Sequence, residues 1–363
     1  MMARRDSLFS QQGFYDLVSG RRRGPTASLL RGALRVIEVP YTWAVTSRNR
    51  GFDSGRRDVE HVDIPVVSVG NVSLGGTGKT PLVAWLARWF RRHDVRVTLV
   101  SRGYKGRAGQ PNDEALELEQ QLPDVPHLQD ADRVAAARLA IEEFEAQLLV
   151  LDDGFQHRRL ARDLDIVLLD ALEPFGHGHV FPRGTLREPL DGLRRADVIV
   201  LSRAGLVDPP RREEIRRRVR QLAGDAPWVE VAHRPTQLRA AHGQTQPIDA
   251  LREKPVAAFC GIGNPDGFRA GLEGCGYRLA GFHAFADHHD FGRGDVEWLE
   301  HWAAECGAVA LVCTHKDLVK LGVDRIGRLP LWALSIGVEI LSGHDALEAQ
   351  LRRVLERVTP PTD

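Results

Sequence analysis

The stretch from residue 66 to residue 80, VVSVGNVSLGGTGKT, constrains the fold of this chain more than any other. A β-branched, uncharged run leads into a glycine cluster that ends in Gly78-Lys79-Thr80, and residues 81–90 carry apolar side chains at helical spacing. Strand, glycine-rich loop and helix in this order are typical of a phosphate-binding loop, because glycines let backbone N–H groups face phosphate oxygens and the helix N-terminus adds positive charge. The sequence therefore predicts a nucleotide site.

Each loop residue has a predicted place around the phosphates. We expect the phosphates to be surrounded by Ser73, Leu74, Gly75, Gly76, Thr77, Gly78, Lys79 and Thr80. Lys79 would reach the β- and γ-phosphates, and the Thr80 hydroxyl would bind Mg²⁺. The general Walker pattern has glycine where this chain has Ser73, so a glycine-rich turn that happens to precede a helix is the alternative interpretation.

Length, composition and charge set broad limits. The chain has 363 residues, of which 43% are hydrophobic and 27% charged, ordinary values for a globular protein of two domains. The formal net charge is zero, so nothing favours nucleic acid as a partner. The four cysteines include no C-x-x-C pair and are expected to be reduced thiols in the cytosol. We find no bilayer-spanning apolar run and no secretion signal.

The first 60 residues differ from the rest in being basic and amphipathic. Residues 27–45 have an apolar pattern at helical spacing that includes Tyr41 and Trp43, and arginines flank and interrupt it. Such a helix is suited to the headgroup region of an anionic membrane. A helix packed on the protein's own core fits the pattern equally well, so both interpretations stay open at this point.

From residue 64 onward, short β runs alternate with helical stretches, the pattern of a mostly parallel sheet flanked by helices. The predicted fold class is α/β of the P-loop NTPase type, with a second, smaller α/β domain and an N-terminal amphipathic helix. We expect a membrane-docking segment at 1–60, a nucleotide-binding domain at 61–240 and a C-terminal domain closing over the site at 241–363. Residues 109–128 are polar and predicted to be a loop.

An acidic pair follows another apolar run. Residues 148–151 lead directly into Asp152 and Asp153, as in a Walker-B element, whose carboxylate holds the metal at the strand tip beside the phosphate loop. Two aspartates in an ordinary turn are the alternative, but the upstream phosphate loop favours the metal.

A kinase also needs a group that deprotonates the acceptor hydroxyl. The side chains on predicted loops that could do so are Asp113, His157, Asp287 and His288, and the residues alone do not rank them. Arg102 and Tyr104 follow a predicted strand at 95–101, where open α/β sheets bind ligands, although a plain surface loop explains them equally well.

Several sequence blocks, taken together and in order, resemble the tetraacyldisaccharide 4′-kinase family, the lipid A 4′-kinases. The blocks are residues 69–71 ahead of 75–81, then 101–104, 152–157, 186–188 and 286–288. The resemblance runs over nearly the whole chain, and the family carries Ser or Thr where this chain has Ser73.

This resemblance implies phosphorylation of the 4′-hydroxyl of a tetraacyl glucosamine disaccharide 1-phosphate in lipid A biosynthesis, with ATP and Mg²⁺. It also implies peripheral attachment of the N-terminal helix to the cytoplasmic face of the inner membrane. The lipid A precursor and that membrane surface are the expected partners, and we expect a monomer.

Position by position, the resemblance also implies site residues. Asp113 and His288 match the aspartate–histidine pair that activates the acceptor, and Lys79 serves the transferred phosphate. The residues implied near the metal are Asp152, Asp153 and Glu188, with Arg187 beside the phosphates. Those implied to hold the lipid headgroup are Arg102, Tyr104 and His157. The chain departs from the family's Gly-Asp-Glu-Pro at residues 112–115, which read NDEA.

Two function classes are compatible with these residues. The first is a lipid-sugar kinase, and the second is a P-loop ATPase that uses water as the acceptor and drives conformational change or partner assembly. Dependence of ATP consumption on a lipid A precursor distinguishes them.

Overall fold

A computed structural model describes residues 11–103, 113–287 and 289–358, without the side chains of residues 11 and 12. The helices in these ranges are α1 (Gln11–Val18), α2 (Pro25–Asp53), α3 (Lys79–Arg91), α4 (Asp113–Gln121), α5 (Arg133–Phe144), α6 (Pro209–Ala223), α7 (Pro265–Gly274), α8 (Arg293–Glu305), α9 (His315–Leu321) and α10 (His344–Leu355). The strands are β1 (Val66–Asn71), β2 (Val97–Ser101), β3 (His127–Gln129), β4 (Leu148–Asp152), β5 (Leu164–Asp170), β6 (Val198–Ser202), β7 (Trp228–Arg239), β8 (Thr245–Gln246), β9 (Pro255–Cys260), β10 (Arg278–Ala284), β11 (Ala310–Thr314), β12 (Arg325–Ile326) and β13 (Leu329–Ser342).

The chain forms two compact units, each assembled from separate segments. Unit 1 comprises residues 1–79, 132–232 and 340–363, and unit 2 comprises residues 80–131 and 233–339. The predicted three-part division into docking, nucleotide-binding and closing segments concerns function and stays a prediction.

Unit 1 is built on a parallel sheet. Strand β1 pairs with β4 on one side and with β5 on the other, and β5, β6 and the start of β7 continue in the same direction. Every residue of β1 is buried, as its uncharged β-branched sequence predicts for a strand covered on both faces. Parallel strands bring their carboxyl ends to one edge, so β1 and β4 deliver their following loops side by side.

A hydrophobic cluster fills the space beside this sheet. It includes Phe155, Val167, Leu201 and Ile215, all essentially inaccessible to solvent. Because Phe155 comes three residues after the end of β4, the core directly anchors the acidic motif.

Within unit 2, four strands pair in the order β10-β9-β11-β13, and all three pairings are parallel. Strand β12 adds an antiparallel pair with β13, and β2 pairs in parallel with β3. Two hydrophobic clusters, one containing Leu272 and the other Leu299, complete the unit.

The predicted α/β class, with mostly parallel pairing and flanking helices, is confirmed. The prediction that residues 109–128 form a loop is wrong for the described part of that range, because Asp113–Gln121 is helical and His127–Gln129 is a strand. Only Ala115 and Leu118 are buried in this polar helix, and its three apolar residues, all within residues 115–118, were too few for its sequence to predict it.

The N-terminal helix α2 begins two residues before its predicted start and runs on to Asp53. Its outer face exposes large apolar side chains, with Val36 and Trp43 each 73% exposed. None of the described helices combines the length and apolarity needed to cross a membrane.

Candidate active site

The loop between β1 and α3 is braced from within by Asn71. The side-chain amide of Asn71 donates to the carbonyl of Ser73 (2.8 Å) and to the hydroxyl of Thr77 (3.0 Å). The backbone is left-handed at Gly75 (φ 105°) and Gly78 (φ 77°), a conformation that glycine adopts without steric cost. A buried amide that bonds two points of the loop holds its curvature without any ligand.

A second brace comes from the chain segment at 185–187. The N–H of Leu74 donates to the carbonyl of Thr185, and the N–H of Arg187 donates to the carbonyl of Val72, both at 2.7 Å. The hydroxyl of Ser202 donates to the carbonyl of Thr77 at 2.7 Å. These bonds use one N–H of the loop, that of Leu74, and two carbonyls, those of Val72 and Thr77.

Gly70 allows the acidic motif to approach this loop. A Cβ placed on Gly70 would lie 2.5 Å from Cβ of Phe155 and 2.7 Å from its backbone nitrogen. No side chain fits there, so glycine at this position brings the Asp-Asp-Gly-Phe segment against β1.

Lys79, Asp153 and Arg187 form a charged group at the loop. The ammonium of Lys79 lies 3.3 Å from Oδ1 of Asp153, and the guanidinium of Arg187 lies 2.7 Å from Oδ2. Arg187 also donates through Nε to the carbonyl of Ser73 at 3.2 Å. The structure therefore brings together two cations and one carboxylate predicted from separate motifs.

Two features show that Asp153 is held under constraint. Its φ of 57° is left-handed, which is uncommon outside glycine and clusters at functional sites. Burial disfavours its ionised form, but the charges of Lys79 and Arg187 outweigh burial and lower its pKa to about 2. Asp153 is thus a permanent anion at physiological pH.

Asp152 is the buried last residue of β4, and it is paired in register with Val69 of β1. This position places its carboxylate at the carboxyl end of the sheet, beside the start of the phosphate loop. The neighbouring residue in the chain after Lys79 is Thr80, which is also buried.

Glu188, which the resemblance implies to lie near the metal, is buried among hydrogen-bond donors. Its side chain is 1% exposed, and Arg195 donates to both carboxylate oxygens, at 2.8 and 2.9 Å. Asn49 of α2 donates to Oε2 at 2.7 Å, and Gln156 donates to Oε1 at 2.9 Å. Gln156 donates in addition to the carbonyl of Asn71 at 2.9 Å. Glu188 therefore joins helix α2 to the base of the phosphate loop.

The fit of Mg²⁺ follows from these contacts. Within the ranges that the structure describes, no three His, Cys, Asp or Glu side chains are grouped so as to hold a metal ion. Mg²⁺ is commonly bound by one or two carboxylates together with substrate phosphates and water. Asp152 fits that role by position, whereas the two oxygens of Glu188 accept four hydrogen bonds from three side chains.

His157 lies two residues beyond Phe155 and is half-buried. Burial, aided by the charges of Arg133 and Arg162, lowers its pKa to about 4. Its imidazole is consequently neutral at pH 7, able to donate and to accept hydrogen bonds.

Three predicted site residues belong to the described part of unit 2. They are the buried Thr80, the exposed Arg102 after β2, and Asp113, the first residue of α4. Asp113 pairs with Lys320 at 3.0 Å. Two others, Tyr104 and His288, lie outside the described residues.

The whole chain was compared with known families. Residues 30–356 match the family described as tetraacyldisaccharide-1-P 4′-kinase. The chain belongs to this family.

Individual members of the tetraacyldisaccharide-1-P 4′-kinase family are similar to this chain over nearly their full length. The tetraacyldisaccharide 4′-kinase of Anaeromyxobacter sp. (strain K) is 39% identical over 359 residues, covering 94% of this chain and 95% of the relative. That of Geobacter sulfurreducens is 36% identical over 362 residues, covering 94% and 99%.

A solved structure is also similar to this chain. It is described as the "apo" form of LpxK from Aquifex aeolicus in complex with ATP, and it superposes with a TM-score of 0.73 at 29% identity, covering 90% of this chain and 99% of that one. The resemblance inferred from the sequence blocks is confirmed, and the chain is a kinase that transfers phosphate to a hydroxyl.

Sequence reasoning missed two residues that the structure places at the site. Asn49 and Arg195 both bond Glu188, yet each stands in an arginine-rich segment without a motif. The hydrogen bond from Asn49 spans 139 positions of sequence, so no local signal could have found it.

Proposed function

We propose that this chain transfers the γ-phosphate of ATP to the 4′-hydroxyl of a tetraacyl disaccharide 1-phosphate, as the names of its relatives and the ATP-bound relative suggest. The observation that supports this most directly is the contact of Lys79, at the end of the loop, with Asp153, just after the adjacent strand. A cation and an anion from two separate motifs meet where terminal phosphates would lie.

The loop supplies the phosphate-binding part of the reaction. Backbone N–H groups of residues 75–80 and the N-terminus of α3 would face the phosphate oxygens. Lys79 and Arg187 would carry positive charge against the transferring group, and Asp153 keeps both cations oriented.

We propose Asp152 and Thr80 as the residues that hold Mg²⁺. When bound, Mg²⁺ supplies positive charge that neutralises the β- and γ-phosphate oxygens. Glu188 acts in this proposal as the anchor of α2, because its oxygens already accept from Arg195, Asn49 and Gln156.

For the acceptor side, we propose that His288, oriented by Asp113, takes the proton of the sugar hydroxyl. Histidine suits the task because its ordinary pKa lies near working pH. Arg102, Tyr104 and the neutral His157 would hold the polar headgroup.

Transfer of radiolabelled phosphate from ATP to a tetraacyl disaccharide 1-phosphate tests this function. We expect transfer by the wild-type chain, loss of at least about 100-fold in Lys79→Met, and no change in Lys254→Met, which alters an exposed lysine. ATP consumption that is indifferent to the lipid would contradict the kinase and favour an ATPase that uses water.

We also propose that the exposed face of α2 docks on the cytoplasmic face of the inner membrane. Val36 and Trp43 protrude there, each 73% exposed, and an interfacial helix of this kind buries such side chains among lipid headgroups. Val36→Asp combined with Trp43→Asp should weaken sedimentation with anionic liposomes. Leu206→Asp is the control, since Leu206 is 64% exposed elsewhere in unit 1, and equal sedimentation of both variants would refute the docking face.

A further inference from the structure

In unit 2, Lys320 touches both segments that carry the proposed acceptor-activating residues. Its ammonium lies 3.0 Å from Oδ2 of Asp113 and donates at 3.3 Å to the backbone carbonyl of His289, the residue after His288 in the chain. Its side chain is only 10% exposed. An ammonium with three donors and little water around it restrains whatever it bonds.

Aromatic packing fixes the side chain of His289. The ring of Phe285 stacks on the imidazole of His289, with centroids 4.6 Å apart and planes 24° apart, and both rings contact Phe291. His289 Nε2 also lies 3.1 Å from the carboxylate of Asp295. With its side chain held, His289 presents its carbonyl to Lys320 at a defined position.

Helix α9 places Lys320 for this contact. Thr314 caps the helix by accepting from the N–H of Asp317, and the buried Asp317 accepts from the N–H of Gly261 at 3.1 Å and from the Thr314 hydroxyl at 2.6 Å. The helix start is therefore tied to the end of β9, and Lys320 follows one turn later.

We propose that Lys320 is a positioning residue for the phosphoryl transfer, because its ammonium joins the Asp113 carboxylate to the main chain at His289. By fixing these two points, it orients the Asp113 carboxylate and holds the main chain at the residue after His288 before the acceptor hydroxyl arrives. The inference rests on the proposed roles of Asp113 and His288.

The chain offers a matched control in Lys316. Lys316 projects from the same helix and pairs with Glu114 of α4 at 2.9 Å, so it makes the same kind of bond between the same two helices. It differs in contacting the residue after Asp113.

Other ionisable groups lie at or near Lys316, Asp317 and His289 and bear on any measurement of the pH dependence. They are Glu114, Glu117, Lys316, Asp317 and Asp295. Burial raises the pKa of Glu117 to about 7, against the opposing charge of Lys316. The Lys316→Met control therefore also reports any contribution of Glu117 to the pH profile.

The test compares Lys320→Met, Lys320→Arg, Lys316→Met and Asp113→Asn by steady-state kinetics between pH 5 and pH 9, with folding checked by circular dichroism. For Lys320→Met we expect kcat to fall by about 10- to 100-fold and KM for ATP to stay unchanged. The acidic limb of the kcat–pH profile should move up by about one pH unit. The reason is that the Asp113 carboxylate loses a cation, 3.0 Å away, that favours its ionised form. Lys320→Arg should restore the limb and part of kcat.

These outcomes distinguish a failure of the proposed role of Lys320 from a failure of the proposed function. An inactive Asp113→Asn together with wild-type kcat and pH limb in Lys320→Met would overturn the role of Lys320 and leave the proposed function intact. Equal losses in Lys316→Met and Lys320→Met would also overturn it, since they indicate general loss of helix packing. Wild-type turnover in Asp113→Asn would refute the acceptor assignment itself. Should Lys320→Met fail to fold, Lys320→Gln keeps a donor without the charge and gives the same comparison.

Discussion

Replacing Glu188 by glutamine tests whether this residue anchors helix α2 or binds the metal. The substitution removes the negative charge that faces Arg195 and puts an N–H₂ group opposite the donors of Asn49 or Gln156. Arg195 is 19% exposed and stacks over the ring of Phe155, so it cannot turn fully into water.

The contacts of Glu188 set the expected loss in the free energy of unfolding. Breaking a buried ion pair by removing one partner costs about 3–5 kcal/mol. Arg195 keeps some access to water, so we expect the free energy of unfolding to fall by about 3 kcal/mol, at the lower end of that range. Urea denaturation followed by tryptophan fluorescence, without nucleotide or Mg²⁺, measures this loss.

The matched control is Glu214→Gln. Glu214 pairs with Arg211 on the surface of α6 and its side chain is 64% exposed, so we expect a loss below about 0.5 kcal/mol. The double variant Glu188→Gln with Arg195→Met should recover part of the loss, because it removes the unpaired guanidinium.

A loss in Glu188→Gln as small as that in Glu214→Gln would refute the anchoring role. If the same variant also needed more Mg²⁺ for activity, the carboxylate would be a metal ligand, as the sequence blocks imply.

Three further predictions concern stability. Because the pKa of Asp153 is lowered from 3.8 to about 2, its ionisation stabilises the native state fully above pH 3.8, and this stability is lost as the pH falls towards 2. Solvent screening of its 36% exposed side chain limits the effect to about 1 kcal/mol, and acid titration of Asp153→Asn should show a flatter slope in that window. The pKa of His157, lowered from 6.5 to about 4, makes neutral His157 stabilising above pH 6.5, with stability lost as the pH falls towards 4. His157→Gln should reduce the difference in unfolding free energy between pH 7 and pH 5, and an unchanged difference would contradict burial as the cause. Gly70→Ala should cost about 2 kcal/mol or more, since the added Cβ meets the backbone of Phe155 at 2.7 Å. The control is Gly32→Ala in α2, where the added Cβ meets nothing within 4 Å, so this variant should be neutral or stabilising by up to about 1 kcal/mol.

Much of the nucleotide site was predictable because its determinants are adjacent in sequence. Strand β1, the glycine loop and α3 follow one another without interruption, and their geometry depends on local backbone preferences that residues 66–80 carry themselves. The position of Asp152 and Asp153 was predictable for a similar reason, since parallel strands always bring their carboxyl ends to one edge.

Other features depended on packing between distant segments. The sequence blocks implied that Glu188 lies near a metal, which stays a prediction, and the fold adds hydrogen bonds from Arg195, Gln156 and Asn49, the last of these 139 residues away. A carboxylate carries the same charge in either setting, and only the donors that the tertiary structure brings to it decide whether it anchors a helix or faces a cation.

The contacts of Lys320 were likewise not predictable from the sequence, because nothing in its local sequence distinguishes it from Lys316. The sequence by itself determined the α/β fold and the phosphate loop, through periodicity and short-range spacing. The tertiary structure alone decided which charged side chains meet, because ion pairs and buried hydrogen bonds form between residues that folding brings together from far along the chain.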